Sequence, residues 1–228
     1  MNTGLQSSLD VTQLAGYTAR QLNHFFPDPT PAGESALRQG VEWVFERLTK
    51  LHGRTADKYY FRNGQAYFDH LHGDQYATYI YFLSRYCATE SGDRDLAAKL
   101  YLLNKALFAV DIYFEVQLPE IFLLCHPVGT VLGRATYQDY LVVSQNCTVG
   151  NIDSVYPELG WGTVLCSGSS VLGGCKFGDS VCVGAGSMVM NLTVPAHHNV
   201  VGRAKDVRIL PSADGKWKNY YNPALADR

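Results

Sequence analysis

The sequence predicts an α+β chain: a helical N-terminal region followed by a parallel β-helix of hexapeptide repeats. Three observations carry that expectation. An apolar residue or proline recurs at every sixth position, at Leu165, Val171, Phe177, Val183, Val189, Pro195 and Val201. Ahead of residue 110 the apolar residues fall instead at helical spacing. Near Asp111 the composition changes, from few β-branched residues to a stretch dominated by Val and Gly. A period of six is neither the 3.6 of a helix nor the 2 of an ordinary strand. It is the spacing of a β-helix in which each six-residue unit makes one flat face of a triangular coil.

The elements follow in order. Within residues 34–51, Leu37, Val41, Val44, Phe45 and Leu48 form one apolar stripe at helical spacing. The preceding Pro27-Asp28-Pro29-Thr30-Pro31-Ala32-Gly33 cannot be helix interior and marks a linker. Residues 74–87 and 95–110 are two more apolar, helix-length segments, and residues 54–65 lack periodicity and read as irregular. In the repeats, the head of each unit points into the bore. Small residues such as Thr163, Cys175 and Val181 sit two places earlier, and Gly178, Gly184 and Gly202 follow heads and permit corners. Extended backwards, the grid takes in Val131, Tyr137, Val143 and Val149. From Val149 to Leu159 is ten residues, one unit plus four, so residues 151–158 form an inserted loop. A regular coil gains nothing in its core from such an excursion, which makes the loop a candidate for function. The expected organisation is 1–110 helical, 111–210 β-helix, and 211–228 a polar tail. That tail carries Trp217, Tyr220 and Tyr221, to pack on the coils or on a neighbouring subunit.

Composition narrows the function. The chain has 228 residues, 18% of them charged, and a formal net charge of −2. Lys and Arg are thinly spread, so no nucleic-acid partner is expected. No apolar run reaches the roughly 18 residues of a membrane span. The first residues lack a basic segment followed by an apolar one, so no signal peptide and a cytoplasmic location are expected. The six cysteines form no C-x-x-C pair and no His stands at zinc-finger spacing, so no metal site is expected. Four of them, Cys147, Cys166, Cys175 and Cys182, fall inside the repeats, where reduced thiols suit a tight bore.

Two local motifs narrow the class further. Val110-Asp111-Ile112 is followed, fifteen positions after the Asp, by His126 within Leu124-Cys125-His126-Pro127-Val128-Gly129-Thr130-Val131-Leu132-Gly133. Downstream lie Ser167-Gly168 and Gly184-Ala185-Gly186-Ser187. This pattern resembles the serine acetyltransferase family, whose motifs read Val-Asp-Ile-His-Pro and Leu-Asp-His-Ala-Thr-Gly-Ile-Val-Val-Gly. The likeness covers about residues 68–210. It implies a left-handed β-helix, acetyl-CoA as co-substrate, His126 as catalytic base and Asp111 as the carboxylate that orients it. It also implies that Ser167, Gly168, Ala185 and Gly186 line the coenzyme A groove. The chemistry is sound in itself. A hydroxyl cannot attack a thioester unaided, and an imidazole that takes its proton is worth roughly 10²–10⁴-fold. Arg203 and Lys205, with Arg208, follow near the end of the coils where phosphates would lie; for any one of them a solvated cap serves equally well.

The acceptor-reading positions depart from the family. Its acidic residue before the His is Cys125 here, its Gly-Glu-Thr is Gly133-Arg134-Ala135, and its Asp-Arg-His-Pro loop is Ser154-Val155-Tyr156-Pro157. Its Asp-Pro pair has no counterpart near residues 53–58. Losing amine-binding carboxylates and a carboxylate-binding Arg together argues for a changed acceptor. Cys125, Arg134 and Tyr156 are therefore the expected contacts to a small-molecule acceptor, a sugar hydroxyl first, since Tyr can stack on a sugar ring. A divergent serine acetyltransferase and a non-catalytic scaffold stay open as alternatives. Related prisms pack in threes, so a homotrimer is expected, or a hexamer if the 1–110 region pairs trimers.

Overall fold

Two units, Met1–Ala109 and Val110–Arg228, divide the chain in the computed structural model, which describes residues 4–226. The first contains β1 (Leu5–Ser7), α1 (Val11–Phe25), α2 (Glu34–Arg54), β2 (Phe61–Arg62), β3 (Gln65–Phe68), α3 (Gly73–Thr89) and α4 (Arg94–Phe108). The Pro-rich linker does separate α1 from α2, and Leu37, Val41, Val44 and Leu48 of the expected stripe are fully buried. Helix α1 lies within the region expected to be helical, although no apolar stripe located it; Asp10 and Gln13 close a capping box at its start, each side chain bonding the other's backbone N–H. The irregular reading of residues 54–65 needs correction. Asn63 and Gly64 take φ of 51° and 79°, the left-handed pair of a two-residue hairpin turn joining β2 to β3. Strand β1 adds to β3 in parallel.

His52 is the least comfortable group in this unit. It is fully buried, its Nδ1–H donates to the Tyr67 carbonyl at 2.8 Å, and its Nε2 has no partner among the described residues. Burial holds its pKa down from 6.5 to about 4, with the nearby His72 pushing the same way. The folded unit therefore binds fewer protons than the unfolded chain between those two values. Stability is full above pH 6.5 and falls as the pH drops toward 4, by about 3 kcal/mol. Denaturant midpoints at pH 7 and pH 4.5 check this, and His52→Gln should flatten the slope.

In the second unit, residues 110–121 alternate, with Ile112, Phe114, Val116 and Leu118 buried and Tyr113, Glu115 and Gln117 exposed. The coils follow: β4 (Phe122–Cys125), β5 (Val131–Leu132), β6 (Thr136–Tyr137), β7 (Leu141–Ser144), β8 (Thr148–Gly150), β9 (Glu158–Leu159), β10 (Val164–Leu165), β11 (Ser170–Leu172), β12 (Lys176–Phe177), β13 (Cys182–Val183), β14 (Met188–Met190), β15 (Thr193–Val194) and β16 (His198–Val201). Every third strand stacks in parallel, giving three flat sheets. The first runs β4-β7-β10-β13-β16, the second β5-β8-β11-β14, the third β6-β9-β12-β15. β17 (Arg208–Pro211) turns back antiparallel on β16 and becomes the terminal strand of the first sheet, a short, largely exposed edge that ends in proline.

The heads Val143, Val149, Leu159, Leu165, Val171, Val183 and Val189 are at most 1% exposed, and Tyr137 and Phe177 nearly so. Thr130, Cys147, Thr163, Ser169, Cys175, Val181 and Ser187, each two places before a head, are buried as well. Three heads in the grid were misplaced by one. Leu132, not Val131, pairs with Val149, and Val131 is 41% exposed. Val194, not Pro195, pairs with Phe177, and Val200, not Val201, pairs with Val183. The unit between Val189 and Val194 is one residue short, with Asn191 taking a left-handed φ of 49° to close the corner. Two of the four repeat cysteines also sit differently. Cys147 and Cys175 fill the bore, whereas Cys166 is half-exposed and Cys182, one place before the head Val183, faces outward under cover.

The tail returns onto the first sheet. Trp217 stacks edge-on against Trp161 and Tyr140, at 4.6 and 5.5 Å, and the Tyr221 hydroxyl donates to the Leu141 carbonyl at 2.8 Å.

Candidate active site

One corner of the prism, where the first sheet turns into the second, collects most of the expected site. β4 ends at Cys125, and His126 follows at the surface with φ 50°. The turn after it closes through Val128 N–H to the His126 carbonyl at 2.7 Å and Thr130 N–H to the Pro127 carbonyl at 3.1 Å. Asp111 extends the second sheet beside that turn. Its N–H donates to Thr130 at 2.9 Å, and its carbonyl accepts from Leu132 at 3.0 Å. The expected base and its expected carboxylate thus flank one turn, fifteen residues apart in sequence.

The same corner repeats through the next three coils as a ladder. Asn146 N–H donates to Val128, Gly168 N–H to Gln145, and Gly186 N–H to Ser167, at 2.8–2.9 Å. Gly168 and Gly186 both have left-handed φ, 70° and 67°, and a side chain on Gly168 would lie 3.8 Å from the Gly186 Cα. The eighteen-residue spacing therefore stacks Ser167-Gly168 under Ala185-Gly186, as the sequence implies. The ladder ends at Arg203, whose Nε donates to the Gly186 carbonyl at 2.7 Å. Lys205 stands exposed one turn further on, in the short 3₁₀ segment Ala204–Asp206. With strands about 4.8 Å apart, His126 and Gly186 are separated by about 14 Å along this edge. Small residues at Ser167-Gly168 and Ala185-Gly186 leave the backbone of this part of the column accessible to an extended ligand. Gln145 and Asn146 belong to the column and were missed in the sequence, because the inserted loop stretches the spacing from Asn146 to Gly168 beyond eighteen.

The acceptor candidates divide between two corners. Cys125 is half-buried beside His126, opposite Ser144 in the first sheet. Arg134 and Tyr156 lie at the next corner, where the second sheet turns into the third, so the width of the second sheet stands between them and His126. Arg134 is paired with Glu115 at 3.0 Å and remains 66% exposed, a surface pair worth about 0–1 kcal/mol. The inserted loop is a tight hairpin. Ile152 and Val155 exchange backbone hydrogen bonds across Asp153 and Ser154, both left-handed. Ile152 and Val155 rest on Gly173 and Gly174, where a Cβ would meet them at 3.1 Å. That footing presents Tyr156 outward, 39% exposed.

A cavity of about 680 Å³ belongs to the first unit, lined by Leu5, Asp10, Arg38, Glu42 and Phe45 among others, and includes none of these residues. Among the described residues no cluster of three His, Cys, Asp or Glu is placed to hold a metal ion, and no helix is long and apolar enough to cross a membrane.

No protein-family model matches the chain. It is 32% identical to a serine acetyltransferase of Synechococcus elongatus over 105 residues, 44% of this chain and 43% of that one. It is 26% identical to that of Salmonella typhimurium over 156 residues, 62% and 57% of the two chains. The chain spans about half the length of these curated relatives. Among solved structures, the serine acetyltransferase of Brucella abortus in complex with coenzyme A superposes with a TM-score of 0.67 at 19% identity, over 92% of this chain and 85% of the other. In sequence and in fold, a helical region leading into a hexapeptide β-helix, the chain is like the serine acetyltransferases.

Proposed function

We propose that the chain is an acetyl-CoA-dependent O-acetyltransferase. The observation that carries this reading is the single corner column running from Asp111 and His126 through Gly168 and Gly186 to Arg203. Coenzyme A would lie along it, its pantetheine arm against the small residues and its phosphates toward Arg203 and Lys205. The thioester then reaches the His126 end. There the imidazole takes the proton of the acceptor hydroxyl as its oxygen attacks the thioester carbonyl, and the departing thiolate recovers a proton from the imidazolium. Asp111 holds the ring and steadies its charged form. Coenzyme A in complex with a structural neighbour of the same fold supports the cofactor.

The acceptor is a small hydroxyl compound, and two readings have separate support. Arg134, Tyr156 and the loss of zwitterion-binding residues favour a sugar. The relatives, serine acetyltransferases by name, favour serine. In either case a homotrimer belongs to the reading. Closed threefold packing of prisms would set the Arg134–Tyr156 corner of one copy against the His126 corner of the next, which a single chain keeps apart. Release of the coenzyme A thiol from acetyl-CoA, followed with L-serine and with a panel of sugars and nucleotide sugars, tests the assignment. Sugar-dependent release with serine inert supports the first reading; serine-dependent release replaces it with the second. No release with any hydroxyl acceptor would end the enzymatic reading.

The groove has its own test. Ala185 is exposed at the corner, so a larger side chain there leaves the core intact. Ala185→Leu should raise KM for acetyl-CoA about tenfold, equivalent to about 1.4 kcal/mol of lost binding, with thermal stability unchanged. An unaltered KM in steady-state kinetics would place the cofactor elsewhere.

A further inference from the structure

The outer face of the first sheet carries a thiol pair that the acyl-transfer reading does not use. Cys166 follows β10 and lies directly before the Ser167-Gly168 corner, half-exposed. Cys182 on β13 is only 6% exposed. Their sulfurs are 3.7 Å apart, within hydrogen-bond contact. Lys216 of the returning tail acts on both, and Tyr220 stands near Cys125, Cys166 and Cys182 together. On the far side the neighbour is Ser144 of β7, which does not titrate.

Of the two thiols, Cys166 ionises first. It is the more exposed, so its thiolate keeps more of its hydration, and the Cys182 S–H can donate to it. That contact, followed by the Lys216 charge, holds Cys166 below the usual thiol range, while the same contact and burial push Cys182 upward. A lowered pKa raises the thiolate fraction at neutral pH by more than the loss of intrinsic nucleophilicity takes back, so attack on a disulfide is favoured.

We propose that Cys166 is a thiol-modification site that forms a mixed disulfide with small-molecule disulfides, with Cys182 as the hydrogen-bond donor that sets its reactivity. The Cys166 thiolate attacks one sulfur of the small disulfide. A bond forms between that sulfur and Sγ, the original S–S bond breaks, and the second half leaves as a thiolate that takes up a proton. One disulfide is consumed and one is made, so no other oxidant is needed.

The fold also says why the adduct persists. Cys182 stands opposite Val164, and Cys166 is two residues beyond Val164, so the two cysteines are diagonal neighbours on adjacent strands. A two-residue offset along strands about 4.8 Å apart puts their Cα atoms about 8 Å apart, beyond the roughly 7 Å that a disulfide spans without backbone movement. Cys182 therefore primes Cys166 but does not resolve it. This inference stands whether or not the chain transfers acyl groups.

The full chain, reduced and freed of thiols, is incubated at pH 7 with glutathione disulfide in one arm and coenzyme A disulfide in the other. Intact mass and peptide mapping follow the product. The expected result in both arms is one adduct, on Cys166, absent in Cys166→Ser. Alkylation of Cys166 against pH should show a midpoint below that of an ordinary thiol, which moves upward in Cys182→Ala and stays closer to the original in Cys182→Ser. An adduct formed first on Cys125, a Cys166–Cys182 disulfide in place of the adduct, or an unmoved midpoint in a folded Cys182→Ala would each overturn the proposal.

Discussion

His126→Ala is expected to abolish acyl transfer, by roughly 10²–10⁴-fold in kcat, while coenzyme A affinity stays nearly unchanged. The imidazole acts on the acceptor proton at one end of the corner column, whereas the cofactor is held by the backbone of Ser167–Gly168 and Ala185–Gly186 beyond it. Backbone strain must be separated from chemistry here, because His126 has a left-handed φ of 50° and alanine resists that region more than histidine does. Asn tolerates it well, so His126→Asn is the matched control and should be equally inactive. Asp111→Asn leaves the ring in place with a weaker partner and should cost less. Steady-state rates with the true acceptor, beside equilibrium binding of coenzyme A, decide the matter. Wild-type turnover in either His126 variant would remove the base from the mechanism. A covalent acetyl group on Cys125 after acetyl-CoA alone would instead make that thiol the nucleophile.

Trp217→Ala should be the most destabilising single change in the tail. The ring is 6% exposed, sits against Trp161 and Tyr140, and covers Gly162 so closely that a Cβ there would meet it at 2.8 Å. Truncating a buried Trp costs about 3–5 kcal/mol. Further anchors of the tail include the Tyr221 hydroxyl on Leu141 and the Tyr140 hydroxyl on Leu225. Losing the central one should free the segment and expose the outward-facing Val142 and Val164, both buried in the intact protein. Denaturant unfolding should register the loss, and limited trypsin digestion should cut at Lys216 and Lys218 far faster than in the parent. Equal stability with unchanged cleavage would mean that the tail is held by other contacts.

The coils were legible because most heads repeat at six and the last two corners at eighteen, a spacing that an ordinary alternating-strand sandwich does not produce. The three misplaced heads share one cause. Val131 and Leu132, Val194 and Pro195, Val200 and Val201 are apolar pairs, and either member satisfies a six-residue grid. Strand alternation breaks such ties, and at 194–195 proline itself was the signal: Gly178 N–H bonds the Val194 carbonyl in a continuous ladder, and a proline in its midst would lack a donor. In the first unit the elements that no stripe located had local signals too, the Asp10–Gln13 box and the Asn63-Gly64 turn. Both are short-range chemistry that a search for long apolar stripes passes over. Of the site, the Asp111–His126 spacing and the glycine corners were readable. The division of Arg134 and Tyr156 from His126 was not, because corner membership depends on where each turn falls within a coil. The Cys166–Cys182 contact was equally hidden, since it needs both the register of β10 against β13 and the return of the tail.

A crystal structure of the protein with bound coenzyme A tests the central claim most directly. The account predicts the pantetheine arm along the corner of Gln145–Asn146, Ser167–Gly168 and Ala185–Gly186, its sulfur at the His126 end and its phosphates beside Arg203 and Lys205. Coenzyme A bound on another face, or along this corner with its sulfur remote from His126, would contradict it.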